Sequence, residues 1–392
     1  MFVGTVVHSY STSIQLSLRC LLILVSAAIL PHAAFAQGEW EVTPESEAAL
    51  ARGLDWLAKN QGPKGNWESD DLGLVAMGTL AFLADGHAPG RGKYGRTVER
   101  AIDYLLTNAK PSGLLNVADA QRDMYNHGLA TFVLGQAHGM TGDPRINSAL
   151  DRSLKLIANT QCEDGGWDYR ARRQDHGHDL SLAVMQAKAL RSAVDSGLEV
   201  PPEVIQMAIA SVREHYEPEG ISRNAPETEQ MKRAGQFTYS RNGGKSSTAM
   251  AAAGVVCLQE FGQYDDWRIR KNLDIINAKI EELKGKEPRH NGSLPFDAYT
   301  MYYVGQALYQ VGGEDWKRSY PILRDGVVGG QVIRPDNPRE HGKWSAGAHL
   351  GGMSSDLYGT SVGCFILAMP NRYLPILQEG RIEGLSQQFN SN

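Results

Sequence analysis

The residues best suited to chemistry stand just ahead of apolar segments. They are Asp70 and Asp71, His127, His178 and Asp179, Ser246 and Ser247, Asp297, and Ser355 and Asp356. Carboxylates can act as general acids or bases once burial or a neighbouring charge moves their pKa. The same Asp and Ser types also cap helices, accepting from orphan backbone N–H groups and complementing the helix dipole. Gathered around one opening, such helix starts would form a polar, ligand-ready site. Asp71, Asp297 and Asp356 are the candidate catalytic acids. His127, His178, Asp179, Tyr299, Tyr302 and Tyr358 are the candidate cavity-lining residues. Tyr125 and Tyr303 add to the aromatic set, whose π faces suit isoprenoid cations and sugar rings alike, or simply pack between helices. His176-Gly-His178-Asp179 holds competent metal ligands. A zinc site needs three or four convergent groups, however, and no others are evident, so no metal and no cofactor is expected.

The elements that must position these residues are helices. Leu50, Leu54, Leu57 and Ala58 have the spacing of one helix face, and it recurs at Val98, Ile102, Leu105 and Leu106 and at Leu150, Leu154, Ile157 and Ala158. A fourth stripe is Ile205, Ala208, Ile209 and Val212; a fifth is Leu273, Ile276, Ile280 and Leu283; a sixth, around Tyr320 and Leu323, is ragged. Each stripe is followed by a segment apolar on nearly every side, beginning at Leu72, Gly128, Leu180, Ser247, Ala298 and Tyr358. A helix apolar all round must be buried all round. Alternating amphipathic and apolar helices predict an all-α toroid, a closed barrel of about six outer/inner pairs, since an open solenoid would show paired amphipathic helices with capping repeats.

Two turns carry the same pattern where an outer helix ends. Gln61-Gly-Pro-Lys-Gly65-Asn-Trp67 and Gln161-Cys-Glu-Asp-Gly165-Gly-Trp167 both read Q-x3-G-x-W, and Gly342-Lys-Trp344 keeps its second half. This resembles the QW repeat of the squalene-hopene and oxidosqualene cyclases and the related prenyltransferase β subunits, over about Trp40 to Leu377. The resemblance implies a terpenoid-cyclase-like fold, an isoprenoid or other small-molecule ligand, and a structural role for Gln61, Gly65, Trp67, Gln161, Gly165 and Trp167. It does not carry over the chemistry. The D-x-D-D acid motif, the D-D-x-x-D metal motif and the D-x-C zinc pair of those enzymes are all missing. A cyclase activity would therefore need an unconventional acid such as Asp71 or Asp297.

Whole-chain properties narrow the classes. With 42% hydrophobic and 21% charged residues the chain is globular, and a net charge of −5 offers no footprint for nucleic acid. Residues 1–36 read as an export signal: Arg19, the apolar run Leu21 to Leu30, Pro31 and the small-residue site Ala34-Phe35-Ala36. That run is too short to span a bilayer, so no transmembrane segment is expected after cleavage, and the protein is expected outside the cytoplasm. The toroid would occupy 40–377 and a tail 378–392. Beyond Cys20 only Cys162, Cys257 and Cys364 remain, which excludes a disulfide scaffold.

Two polar stretches, Glu219 to Lys245 and Arg334 to Gly352, lack periodicity and read as loops near the barrel mouth. The leading functional expectation is an exported squalene cyclase/prenyltransferase-repeat protein. The alternatives are a non-catalytic binding or scaffold protein and a carbohydrate-active α/α-barrel enzyme with paired carboxylates. Oligomeric state is not legible.

Overall fold

The computed structural model describes residues 40–377, apart from Gly142, 242–243, 287–290 and 348–354. The expected signal 1–36, the tail 378–392 and His349 lie outside the described residues. Twelve long helices alternate between an outer and an inner layer. The outer ones are α1 (Pro44–Asn60), α3 (Gly95–Thr107), α5 (Pro144–Thr160), α7 (Pro202–Arg213), α9 (Trp267–Glu281) and α11 (Gly313–Gly330). The inner ones are α2 (Leu72–Ala84), α4 (Asp123–His138), α6 (Leu180–Asp195), α8 (Thr248–Glu260), α10 (Ala298–Val311) and α12 (Asp356–Ala368). Each inner helix packs on the next, and α12 returns to α2, so the ring is closed as expected. The ragged sixth stripe is a full outer helix with Pro321 inside it.

The two layers follow from the sequence in different ways. Outer helices start at Pro44, Pro144 and Pro202, where a missing N–H costs nothing. Thr43 and Ser46 close a capping box on α1. Inner helices are buried almost throughout, and α2, α6, α8, α10 and α12 are capped by Asp71, Asp179, Ser247, Asp297 and Ser355. These caps put the inner N-termini at one end of the ring.

The handover from outer to inner helix is built around one device. Gln61, at the end of α1, donates from its amide to the carbonyls of Gly65 (3.2 Å) and of Thr97 on α3 (2.8 Å). Gly65 has φ +83°, and a Cβ there would lie 2.5 Å from the Arg100 carbonyl oxygen, so only glycine fits. The Trp67 indole donates to Leu57 O (2.8 Å) and lies on Gly78 of α2. Gln161 repeats this toward Val204 of α7 (2.9 Å), and Trp167 donates to Ile157 O (2.9 Å). Gln331, Gly342 and Trp344 repeat it a third time, Gln331 reaching Ala49 of α1 (2.8 Å). Eleven residues separate this Gln from its Gly where the other turns use four, which is why only the second half shows in the sequence. This copy stitches the last outer helix to the first and closes the ring.

The end of the ring away from the caps is covered by the chain's own continuation. Residues 369–377 cross it: Ile376 N–H donates to Gln136 Oε1 (3.2 Å), and Tyr309 donates its hydroxyl to Leu377 O (2.5 Å). Asn371 donates to Asp85 (2.8 Å), and Arg372 pairs with Glu41 (3.2 Å). The inner N-termini form the opposite end, which residues 369–377 leave open. The polar stretch after α7 is a short antiparallel hairpin, β1 (Tyr216–Pro218) with β2 (Gly235–Phe237), enclosing a single helical turn at Glu227–Gln230. No helix of the described residues is long and apolar enough to cross a membrane.

Candidate functional site at the open end

A layer of buried tyrosines lies beneath the open end. Tyr125 in the first turn of α4 and Tyr303 on α10 come from opposite sides of the ring, and their hydroxyls meet at 3.5 Å. Tyr303 packs edge-on against Tyr299 (4.9 Å between centroids) and at a tilt against Tyr302 (5.4 Å), which packs on Phe365 of α12. Tyr358 is buried beside them in the first turn of α12. Burial raises the Tyr125 phenol to about 12 and holds Tyr299, Tyr303 and Tyr358 well above the ordinary tyrosine value. These phenols stay protonated and act as hydrogen-bond partners and flat apolar faces.

Below this layer the axis is filled. Lys188 on α6 is fully buried, with its ammonium 3.3 Å from the Glu260 carboxylate, bonded to Gln306 Oε1, and 5.2 and 5.5 Å from the Phe132 and Tyr302 rings. Burial lowers the Lys188 pKa, and the charge of Glu260 opposes this. Gln310 donates to the same Glu260 oxygen (2.8 Å).

Carboxylates rim this layer. Asp71 caps α2 through Leu74 N–H (3.1 Å) and pairs with Arg122 (2.8 Å), whose guanidinium lies 5.8 Å from the Tyr125 ring. Asp70 is exposed and accepts from Tyr104 (3.3 Å). Asp179 caps α6 through Ser181 and Leu182 N–H (3.0 and 3.2 Å) and also accepts from the hydroxyls of Ser181 and Tyr169. Tyr169 in turn meets the Tyr239 hydroxyl at 2.5 Å. Burial, and after it the Asp179 charge, raises both phenols, so the Asp179–Tyr169–Tyr239 chain presents a protonated hydroxyl on an exposed ring. Asp71 and Asp179 both bear electrostatically on Tyr125, which places them around one tyrosine layer.

The other sequence candidates have other surroundings. Asp297 caps α10 and accepts from Thr300 N–H (3.1 Å) and Oγ1 (2.7 Å). Asp356 pairs with Lys343 (2.7 Å). His127 is buried between α4 and α5: its Nδ1 accepts from Leu115 N–H (3.1 Å) and its Nε2 contacts Ser153 O (3.1 Å), with burial lowering its pKa to about 4. Tyr302 lies in the filled axis. His178 is half exposed and stacks obliquely on Tyr169 (5.1 Å). Among the described residues no group of three or more His, Cys, Asp or Glu is placed to hold a metal ion. Cys162, Cys257 and Cys364 are buried and free. Sequence reasoning missed Arg122, which ends a single 3-10 turn, and Tyr169 and Tyr239, which lie in loops, none with periodicity to mark it.

No family model matches this chain, and no curated protein matches it. Solved structures resemble it in fold. A sugar epimerase from a ruminal bacterium is 12% identical, with 83% of this chain and 97% of that one covered and a TM-score of 0.55. An α-1,6-mannanase of Salegentibacter sp. HEL1_6 is 10% identical, covering 86% and 100%, with a TM-score of 0.52. The latter is an inactive variant with two consecutive aspartates changed to alanine, in complex with α-1,6-mannotetrose. These likenesses overturn the expected kinship with the squalene and oxidosqualene cyclases and the prenyltransferase β subunits, and with it the terpenoid-cyclase reading. The axis gives the physical reason, because Tyr125 and Tyr303 meet where a cyclase cavity would run. The Q-x3-G-x-W turn marks a geometric need, a tight handover from an outer to an inner helix, and not that family. The chain is an α/α toroid, sharing its fold with enzymes that act on sugars.

Proposed function

We propose that this chain is a carbohydrate-active enzyme that receives a saccharide at the open end of the toroid. The observation that carries the proposal is the rim at the inner N-termini, where fixed carboxylates and the exposed Tyr239 phenol stand over buried tyrosines, with the opposite end covered. Sugar rings stack their apolar faces on tyrosines, and their hydroxyls need dense donors and acceptors. Asp71–Arg122 and Asp179–Tyr169–Tyr239 supply these. The mannanase was inactivated by changing two consecutive aspartates. Here Asp70 and Asp71 are consecutive and stand at the rim, so they are the first choice for acid–base work on a glycosidic or hydroxyl-bearing carbon.

The test is chromatography of products from α-1,6-mannotetraose and α-1,6-mannobiose, with wild type and Asp71→Asn. Asparagine caps a helix as well as aspartate, so the fold is kept while the charge is lost. Product formation, whether cleavage or an epimer, with at least a hundred-fold loss in Asp71→Asn supports the reading. Wild-type turnover by Asp71→Asn, or neither binding nor turnover of saccharides by wild type, overturns it.

A further inference from the structure

Beside the open end lies a groove of about 870 Å³, a volume suited to an oligosaccharide segment. Its walls carry four guanidiniums, from Arg213 at the end of α7, Arg223 in the hairpin, Arg241 after β2, and Arg268 at the start of α9. Arg213 and Arg268 are committed to the buried Asp266, at 2.9 and 3.1 Å. Arg268 also holds the exposed Glu227 at 2.9 Å, and Arg223 and Arg241 follow the same plan. The latter two are only 20% and 17% exposed, yet each holds a carboxylate that is itself well exposed: Glu217 (42%) on Arg223 and Glu214 (62%) on Arg241. Arg241 is anchored from behind by Asp164 (2.8 Å) and Ser211 (2.7 Å), and Arg223 by the Glu214 carbonyl (2.8 Å). Anchored guanidiniums thus hold solvent-facing glutamates at the groove wall. The glutamate halves of these pairs face solvent, so a ligand carboxylate can compete for the same guanidiniums.

The groove joins the open end. His178 lines it and stacks on Tyr169, whose hydroxyl contacts both Asp179 and Tyr239, and Ser240 follows Tyr239 into the groove wall. We infer that the groove is a subsite for an acidic saccharide, in which a ligand carboxylate displaces Glu217 from Arg223 or Glu214 from Arg241. This rests on the proposed saccharide site at the open end. It names the substrate class as glycans bearing uronic acids, because a planar guanidinium matches a carboxylate in a bidentate fork.

The experiment is calorimetric titration of the full chain with trigalacturonic acid, its neutral methyl ester and inorganic sulfate. The acid is expected to bind at least ten-fold more tightly than the ester, and Arg223→Gln/Arg241→Gln should erase that preference. Glu214→Gln/Glu217→Gln should tighten the acid several-fold, since the competing anions are gone; a purely structural ion-pair network predicts no tightening. Equal binding of acid and ester, no tightening in the glutamine variant, or sulfate binding as tightly as the acid would each overturn the inference. Tyr299→Ala separates the two readings. If it abolishes ester binding while the acid shows no preference, the groove fails and the open-end site stands. If it changes neither ligand while the acid preference persists, the groove stands and the open-end site fails.

Discussion

Replacing Gln331 by alanine removes the stitch that closes the ring. The Gln331 amide donates to Ala49 O on α1 (2.8 Å) and to Gly342 O (2.9 Å), and its oxygen accepts from Arg52 Nε (2.8 Å). The side chain is fully buried, so neither carbonyl gains ready access to water when the amide is lost. An orphaned buried group costs about 1–3 kcal/mol, and two of them give about 2–6 kcal/mol. Urea unfolding followed by circular dichroism reads this directly, as a lower midpoint at unchanged slope. Gln161→Ala, which removes the same two amide bonds at an internal turn, is the matched comparison and should fall in the same range. A loss below about 1 kcal/mol at Gln331, the size of an ordinary surface substitution, would refute the claim that this turn closes the ring.

Two further perturbations follow from buried charge. His127 and His215 are held neutral by burial, with Arg241 adding to the effect at His215, and both titrate near pH 4 in the fold against about 6.5 unfolded. Their contribution is present above pH 6.5 and is lost as the pH falls toward 4, by about 3 kcal/mol for each histidine. His127→Gln should flatten the stability profile over that window, and parallel profiles for wild type and variant would contradict this. Lys188→Met leaves Glu260 buried without its cation and should cost about 3–5 kcal/mol, whereas Lys188→Met/Glu260→Gln should recover most of it. A double variant no more stable than the single one in urea unfolding would show that the pair is not coupled.

The alternation of striped and all-apolar segments made the closed toroid legible, because burial on every side can be read from a single helix. The Gln–Gly–Trp turns were legible twice, and the third copy was hidden by the residues inserted between Gln331 and Gly342. Family identity was not legible from the same turns: they report the backbone geometry of an outer-to-inner handover. The candidate site was visible in part. Asp71, Asp179, Tyr299 and Tyr358 sit where helix starts place them, since a capping residue is fixed by the helix it begins. Arg122, Tyr169 and Tyr239 gain their meaning only from long-range contacts, such as the 2.5 Å approach of Tyr169 to Tyr239 across seventy residues of chain. His127 illustrates the opposite case. A histidine near a helix start has the same sequence appearance whether it faces a cavity or, as here, donates and accepts within a packed wall.

The most direct measurement is hydrogen exchange of the full chain with and without a saturating saccharide, read by peptide. Binding at the open end predicts slowed exchange in the first turns of α2, α4, α6 and α10 and around Tyr169 and Tyr239, with residues 369–377 at the covered end unchanged. Protection confined to the outer helices or to the covered end would contradict the account.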